Sequence, residues 1–510
     1  MKLTSSAQMR EMDSYVIEDL NVSGTYLMAN ASEQVAAAAL ERLPLGGCAA
    51  VLCGVGNNGG DGIGAAAYLK EKGVTVRVFI IGDESKFSSD TLEMVRRLDL
   101  VGGSLERFIA SAELESYLNA CDIIVDAIFG IGLNADIYGD SLLAVRLINK
   151  SRAYVISADI ASGIHADTGA VLGEAVRADL TVTFSMAKPG HFVEPGCTHC
   201  GDLHICDIGI PHDIVDGAIS PVFAVTAEDI ALPRRRADAH KGNFGRCLIA
   251  SGSIGYTGAP ALCARAASKM GAGLVYLGVP KAIYDIMATK LDEEMPFPLP
   301  SDNEGRLAAN AAGELIKRTG DCDVLLLGPG LGASSGIKEL VLSTIRLAKA
   351  PIVLDADGLN AISGNVEILQ QSESPLILTP HPGEYLRLGG ELSSGDRLLS
   401  AREFAHRHGC ILVLKGHRTI TALPDGTAYI NTTGGPAMAK GGSGDVLAGM
   451  IAALIGQKFP LKEAVITAVY LHGMAGDLCA EDSGEYSVTA GDIISMLPKA
   501  ILRSSAAYLK

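Results

Sequence analysis

The stretch VLCGVGNNGGDGIGAAAYLK, residues 51–70, decides how the first half of the chain is read. An apolar run passes into a glycine-packed loop and then into an alanine-rich helical pattern, as in a strand–turn–helix unit. Gly54, Gly56 and Gly59 satisfy G-x-G-x-x-G, the dinucleotide fingerprint. Its glycines let backbone approach a ligand, and the helix start favours an anion. A dehydrogenase would also need an acid closing the second strand, and Asp83 or Glu84 stands there. The insert is awkward for a plain pyrophosphate cradle. Asn57, Asn58 and Asp61 crowd oxygens beside the glycines, and Asp61 would repel a close phosphate. Such a loop suits hydroxyls or a cation as well as phosphate; the plainer alternative is a tight turn whose Asn and Asp cap the helix.

Outward from this unit, strand-like and helix-like segments alternate. CAAVLCGV, VTVRVFIIG, DIIVDAIFG, AYVISADI and ADLTVTFSM are separated by helical patterns such as 63–72 and 139–150. This alternation predicts an α/β fold with a Rossmann-like, doubly wound N-terminal domain and ligand loops at the strand C-termini. The series closes near DLHICDIGIP. A second one runs through GRCLIASGS, AGLVYLGVP, DVLLLGPG, PIVLDADG, LILTPHPGE and CILVLKG into the helix-rich GDVLAGMIAALIG segment. The turn-rich IPHDIVDGAISP between them puts the boundary near residue 217, giving domains 1–217 and 218–510. PRRRADAHKG, the one dense basic cluster, reads as a solvated or phosphate-neighbouring loop as readily as a segment with a special role.

A length of 510 residues exceeds one ordinary core and fits two domains. Hydrophobic content of 48% with 20% charged residues is that of a soluble globular protein, and 59 glycines among Ala/Val/Ile runs favour buried parallel strands. The net charge of −16 argues against nucleic acid or an anionic membrane as partner, though local amides can still bind an anionic small molecule. No apolar run approaches the ~18 residues of a membrane span. Charges interrupt the N-terminus where a signal peptide needs an apolar core, and 11 scattered cysteines fit a reducing cytoplasm.

Acids recur at strand ends. Asp126 closes one strand ahead of a second glycine loop, Gly130 to Asp136, and Asp159 closes another just before Ser162 and Gly163. Asn58, Asp126 and the backbone near Ser162 are placed to converge on a hard monovalent cation, which takes several oxygens. GVGNNGGDG, VDAIFGIGL, ADIASGIHADTG, TFSMAKPG and DIGIP together resemble the YjeF N-terminal family, the NAD(P)H-hydrate epimerases. These act on NAD(P)HX, the reduced cofactor damaged by addition of water to its nicotinamide ring, and interconvert the R and S forms. The resemblance implies substrate contacts from Asn57, Asn58, Gly59, Gly60 and Asp61. A second set is Gly130, Ile131, Gly132, Leu133, Asn134, Ala135 and Asp136. It implies potassium on Asn58, Asp126 and Ser162, and makes Asp159 the acid–base residue as well as a substrate contact. One departure from the family pattern is YLMANAS, with Ala29 and Ser32 in the segment that is usually MENAG.

In the second half, GGPAMAKGGSGDVLAGMIAALIG (434–456) leads glycines 441, 442 and 444 into Asp445 at the start of a long apolar helix. Amides at such a start can form an anion hole, while an acid there takes a proton from a substrate hydroxyl. The arrangement resembles the GxGD signature of ribokinase-like enzymes; the plainer alternative is a turn with an Asp cap. No GxxxxGK[ST] is present, which argues against the P-loop class. HKGNFG, GSIGYTGA, GPGLG, DADGLN, PHPGE, NTTGGPAMAKGGSGDVLAG and LHGMAGD together resemble the YjeF C-terminal family, NAD(P)H-hydrate dehydratase, which implies a ribokinase-like domain. It places NAD(P)HX against Ala259, Gly330, Gly332, His381 and Asp445. Adenine nucleotide falls on Lys415, Gly416, His417, Arg418, Thr419 and Gly444. ADP is the implied donor, with ATP as the alternative, and Mg2+ accompanies it. Asp445 is the implied base, deprotonating the hydrate hydroxyl for phosphorylation, and loss of phosphate restores the ring. The resemblance further implies a homo-oligomer.

Cys197, His199, Cys200, His204 and Cys206 lie within ten residues and suggest zinc, but only one C-x-x-C is present, so structural cysteines are the reading taken. Two rivals remain to a bifunctional repair enzyme: a ribokinase-like small-molecule kinase with a regulatory N-terminal domain, and a non-enzymatic dinucleotide sensor.

Overall fold

The apolar run before the glycine loop forms β1 (Cys48–Cys53), buried from Ala49 onward, and the loop opens a helix over Asn57–Glu71. The computed structural model describes residues 1–230, 232–393 and 395–505. Two compact units emerge, Lys2–Val222 and Phe223–Lys510 with Met1, so residues 218–222 pack with the first unit.

Among the described residues, the first unit continues with β2 (Thr75–Ile80), β3 (Leu105–Arg107), β4 (Ile123–Ala127), β5 (Tyr154–Ala158), β6 (Leu180–Phe184) and β7 (Asp202–Cys206). Their order is β3-β2-β1-β4-β5-β6-β7, and every pairing is parallel. The order reverses between β1 and β4, the switch point at which such sheets open a ligand crevice. Three residues, LER, carry no readable period, so β3 has no sequence signal.

The second unit's sheet comprises β8 (Val222–Val225), β9 (Arg246–Ala250), β10 (Leu274–Pro280), β11 (Met295–Leu299) and β12 (Val324–Leu327). It continues with β13 (Ile352–Leu354), β14 (Leu376–Leu378), β15 (Ile411–Leu414), β16 (Ile420–Ala422) and β17 (Ala428–Asn431). The order is β11-β10-β9-β12-β13-β14-β15-β16-β17-β8, parallel from β11 to β15 and antiparallel through β16 and β17. Edge strand β11, MPFPL, tolerates two prolines because an edge leaves one row of amides unpaired. The Ser443–Gly456 helix is buried along nearly its whole length, as expected of a helix apolar on every side. In the basic cluster, Arg235 donates to Gly271 O and Gln457 Oε1 and covers the Phe244 ring, while Arg236 pairs with Asp238. Among the described residues no helix is long and apolar enough to cross a membrane.

The glycines of the fingerprint are not equivalent. A Cβ on Gly59 would lie 1.9 Å from Gly54 O, whereas one on Gly56 would meet nothing within 4 Å, at an ordinary φ of −86°. Gly59 thus lets the helix start press onto the end of β1. Gly59→Ala is expected to lower the stability of the first unit by about 2–3 kcal/mol, and Gly56→Ala by less than ~0.5 kcal/mol, in chemical denaturation.

Candidate active sites

In the first unit, the strand ends surround a cavity of about 910 Å3. Asn57, Asn58 and Asp61 from the helix start and all of Gly130 to Asp136 line it, with Asp159, Lys188 and Gly54. Gly59 and Gly60 do not form its wall. An added Cβ would meet Gly54 O at Gly59 and Met28 and Thr91 at Gly60, so both allow close helix packing. Asp83 is exposed and caps the turn Glu84–Lys86 by accepting from Ser85 N, while Gly82 and Lys86 stand on the cavity wall.

Asp159 follows β5 with φ +64°, a left-handed conformation costly for a side chain bearing Cβ and concentrated at functional sites. Its amide donates to Val182 O at 2.7 Å, and its carbonyl accepts from His191 Nε2 at 2.9 Å. Oδ1 lies 2.6 Å from the buried Lys188 ammonium and accepts from Thr183 Oγ1 at 3.1 Å, while Thr183 Oγ1 accepts from Lys188 at 2.8 Å. Burial alone would raise this carboxyl, but Lys188 outweighs it and holds Asp159 below the ordinary carboxylate range. His191 accepts from Lys188 N at Nδ1, which puts its proton on Nε2; burial, then Lys188, push its pKa down to about 4. Asp61 goes the other way, raised well above the usual value by burial and then by Asp159 and Asp13.

The three potassium candidates meet at the turn after β4. Asp126 is fully buried; it accepts from Ser162 N and Oγ at 2.9 and 2.6 Å and from Ser157 Oγ at 2.8 Å. Ser162 Oγ accepts from Phe129 N at 2.9 Å, and a Cβ on the next residue, Gly130, would touch the Asn58 side chain at 3.2 Å. Both polar atoms of the Asn58 amide are buried without a hydrogen bond. A buried carboxylate holding only neutral donors, beside an orphaned amide, fits a monovalent cation.

In the second unit, Asp445 occupies the first turn of the Ser443–Gly456 helix, after Gly442 at φ +93°. Burial first and then Asp355 raise its pKa to about 7, with Lys415 opposing. The Lys415 ammonium lies 2.7 Å from Asp355 Oδ1 and 4.0 Å from Glu384 Oε2, and a Cβ on Gly444 would sit 3.3 Å from it. Burial by itself would lower Lys415, but Asp355 and Glu384 carry it above its ordinary value. Thr379 Oγ1 donates to Asp355 Oδ1 at 2.7 Å. His381 is half exposed and caps the Pro382–Arg387 turn, its Nδ1 accepting from Gly383 N, while its own amide donates to Glu384 Oε2 at 2.8 Å. Gly330 abuts Ala259 and Tyr256, and Gly332 N donates to Asp357 Oδ2 at 2.8 Å. Asp357 also acts electrostatically on Asp445.

The rest of the expected nucleotide loop is held by Arg397, which donates to Leu414 O, Lys415 O and His417 O. Arg418 has φ +56° and donates to Thr432 O, and Thr419 Oγ1 returns to Gly416 O. The motifs NTTGG and LHGMAGD serve each other: Thr433 Oγ1 donates to Tyr470 O and Gly434 N to Asp477 Oδ2. Buried His472 lies 3.3 Å from Ser443 Oγ and is pushed down to about 4 by burial. Lys188, Asp355 and Glu384 were not assigned from sequence, although each stands at or just beyond a strand end. Their position after a parallel strand was the available signal. In the cysteine cluster, His199 Nδ1 donates to Val176 O, Cys200 is buried and His204 is exposed on β7, so the five side chains do not converge.

Two family models match the chain: one described as YjeF-related protein N-terminus over residues 24–190, the other as NAD(P)H-hydrate dehydratase over 247–499. A bifunctional NAD(P)H-hydrate repair enzyme of Moorella thermoacetica is 39% identical over 510 residues, covering 98% of this chain and 96% of that protein. One of Thermofilum pendens is 38% identical over 508 residues, with the same coverage of 98% and 96%. Among solved structures, a ribokinase-like superfamily protein from Enterococcus faecalis V583 aligns with a TM-score of 0.50 at 27% identity. That alignment covers 56% of this chain and 98% of that one. The chain belongs to the family of bifunctional NAD(P)H-hydrate repair enzymes.

Proposed function

We propose that the chain repairs hydrated NADH and NADPH at two separate sites. Residues 1–217 epimerise R- and S-NAD(P)HX, and residues 218–510 dehydrate the S form at the expense of ADP, giving AMP and phosphate. The observation that carries the reading is the contrast between two strand-end and helix-start acids. Asp159 is kept ionised by Lys188, whereas Asp445 is poised near neutrality beside an anion-binding helix start.

In the epimerase, ionised Asp159 accepts or returns a proton as the C–O bond at the hydrated carbon breaks and re-forms, while Lys188 and Thr183 hold its Oδ1 in place. Asn57, Asp61 and the Gly130 to Asp136 loop supply the walls that orient the ring. Asn58, Asp126 and Ser162 would hold potassium, whose charge compensates the buried Asp126 and stiffens the loop.

In the dehydratase, Asp445 removes the proton from the ring hydroxyl as its oxygen attacks the terminal phosphoryl group of ADP. The amides around Gly444, together with Lys415, face the charge of the transferring group. Phosphate then leaves, pushed by the ring nitrogen lone pair, where hydroxide alone would leave poorly. Among the described residues no three carboxylates form a dedicated magnesium cage: Lys415 engages Asp355 and Glu384, and Gly332 N engages Asp357. Magnesium arriving with the nucleotide would rest chiefly on phosphate oxygens and neutralise their charge. We place the enzyme in a reducing cytoplasm as a homo-oligomer.

Given mixed R and S hydrates with ADP, the full chain is expected to restore all of the hydrate to absorbing NADH. Recovery of the S fraction alone, after subtraction of spontaneous epimerisation, defeats the N-terminal assignment. Phosphorylation of another metabolite without recovery favours the small-molecule kinase. Asp445→Asn should cut dehydration by roughly 100- to 10,000-fold and spare epimerisation, and Asp159→Ala the reverse. Because Asp445 must be ionised to act, dehydration should rise through about pH 7 and level off above it. The same carboxyl weakens the fold. Its pKa is raised from 3.8 to about 7, so stability falls as pH rises across that window and the loss is complete above it. Asp445→Asn should therefore be more stable than wild type at pH 8, by roughly 1–2 kcal/mol after allowance for partial exposure, with the difference vanishing near pH 4.

A further inference from the structure

The helix Ser6–Glu18 lies ahead of residues 24–190, the span matched by the YjeF-related N-terminal model, yet it forms part of the cavity wall. Met9, Arg10, Asp13 and Ile17 from it line the cavity, and their spacing puts them on one helix face. The helix is firmly placed. Ser5 and Gln8 form a capping box, Ser6 donates to Asp167 through both its amide and its hydroxyl, and Met9 and Val16 are buried.

Asp13 has no evident structural task. Among the described residues it makes no hydrogen bond or ion pair, and it is half-buried at the cavity within electrostatic reach of both Lys188 and Asp159. Inverting a hydrated carbon requires proton delivery to the hydroxyl leaving one face and proton removal from the water adding to the other. A single carboxylate that enters the turnover ionised can take the proton of the adding water but has none to give the leaving hydroxyl.

We propose that Asp13 is the second acid–base residue of the epimerase, serving the face of the ring opposite to that served by Asp159. The proposal rests on the first unit being the epimerase. In one direction, the Asp13 carboxylic acid protonates the ring hydroxyl. The C–O bond breaks with its electron pair leaving on water, and the ring nitrogen lone pair forms the C=N bond of an iminium. Water then adds to the opposite face, its oxygen pair making the new C–O bond while its proton passes to the Asp159 carboxylate. Asp13 ends ionised and Asp159 protonated, the starting state for the reverse reaction; exchange with solvent resets the pair. The environments suit the division. Burial lifts Asp13 to about 6 against the pull of Lys188, with Asp159 adding to the rise, while Asp159 itself stays below its ordinary range. Arg10, Asp61, Lys188 and His191 are the other charged or titratable groups at this end of the site.

The test uses the full chain with mixed R and S hydrates and excess ADP, so that the slow phase of NADH recovery reports epimerisation and the fast phase dehydration. In wild type the epimerisation rate should fall about tenfold per pH unit above pH 6–7 as the acid form is lost. Asp13→Asn should slow epimerisation at pH 6 by roughly 100-fold and flatten that decline. Asp13→Glu should restore the decline with part of the rate, and the fast phase should be unchanged in both variants. Asp13→Asn with the wild-type rate overturns the proposal, and so does a reduced rate that keeps the wild-type pH profile. A wild-type chain without a catalysed slow phase overturns the epimerase assignment itself.

Discussion

A lysine ammonium buried against an aspartate at the end of a parallel strand is the constraint on which both sites turn. Lys188 meets Asp159 at 2.6 Å in the first unit, and Lys415 meets Asp355 at 2.7 Å in the second. Neither charge could be left alone at that depth, since an unpaired buried ion costs several kcal/mol. Each pair is further tied by a threonine hydroxyl, Thr183 or Thr379. The pairs do more than offset burial. They set the resting charge state of neighbouring acids, and so decide which carboxylate starts as an anion and which carries a proton near neutral pH.

That division carries a cost in stability. Asp445 sits desolvated beside Asp355 and Asp357, with one lysine opposing their field. An ordinary surface aspartate at a helix start would be a stabilising cap. Here burial reverses the balance, and the fold bears an acid that resists ionisation because the proposed chemistry needs one that can take a proton. Asp159 stores its penalty differently, in a left-handed backbone held by the Val182, Thr183 and His191 contacts around it.

The glycine loop shows how one motif divides its work. Gly59 is a packing device against Gly54 O, and Gly64 does the same against Ser32, where an added Cβ would lie 2.1 Å from Oγ. The neighbouring Asn57, Asn58 and Asp61 face the cavity or the candidate cation position. A fingerprint that suggests a dehydrogenase therefore serves a family in which the dinucleotide is the molecule repaired. The Asn and Asp side chains beside the glycines are what made the cofactor reading awkward at the outset.

Strand-and-helix alternation, the two glycine loops and the GGSGD segment sufficed for two α/β halves, their families and the two loops that line the first unit's cavity, because parallel strands are apolar runs and sharp turns demand glycine. Strand β3, with two charged residues in three, and β11, broken by two prolines, were silent because neither shows an unbroken apolar run. Charge state was silent as well. Nothing local to Asp13, Asp61, Asp159 or Asp445 reports the charge state of each, since the groups that shift it come from other segments of the chain. Lys188 lies 29 positions from Asp159, and Lys415 lies 60 from Asp355. Only the sheet order brings such strand ends together, and electrostatic fields depend on distance through space, so sequence determined which acids are present and tertiary structure decided what each can do.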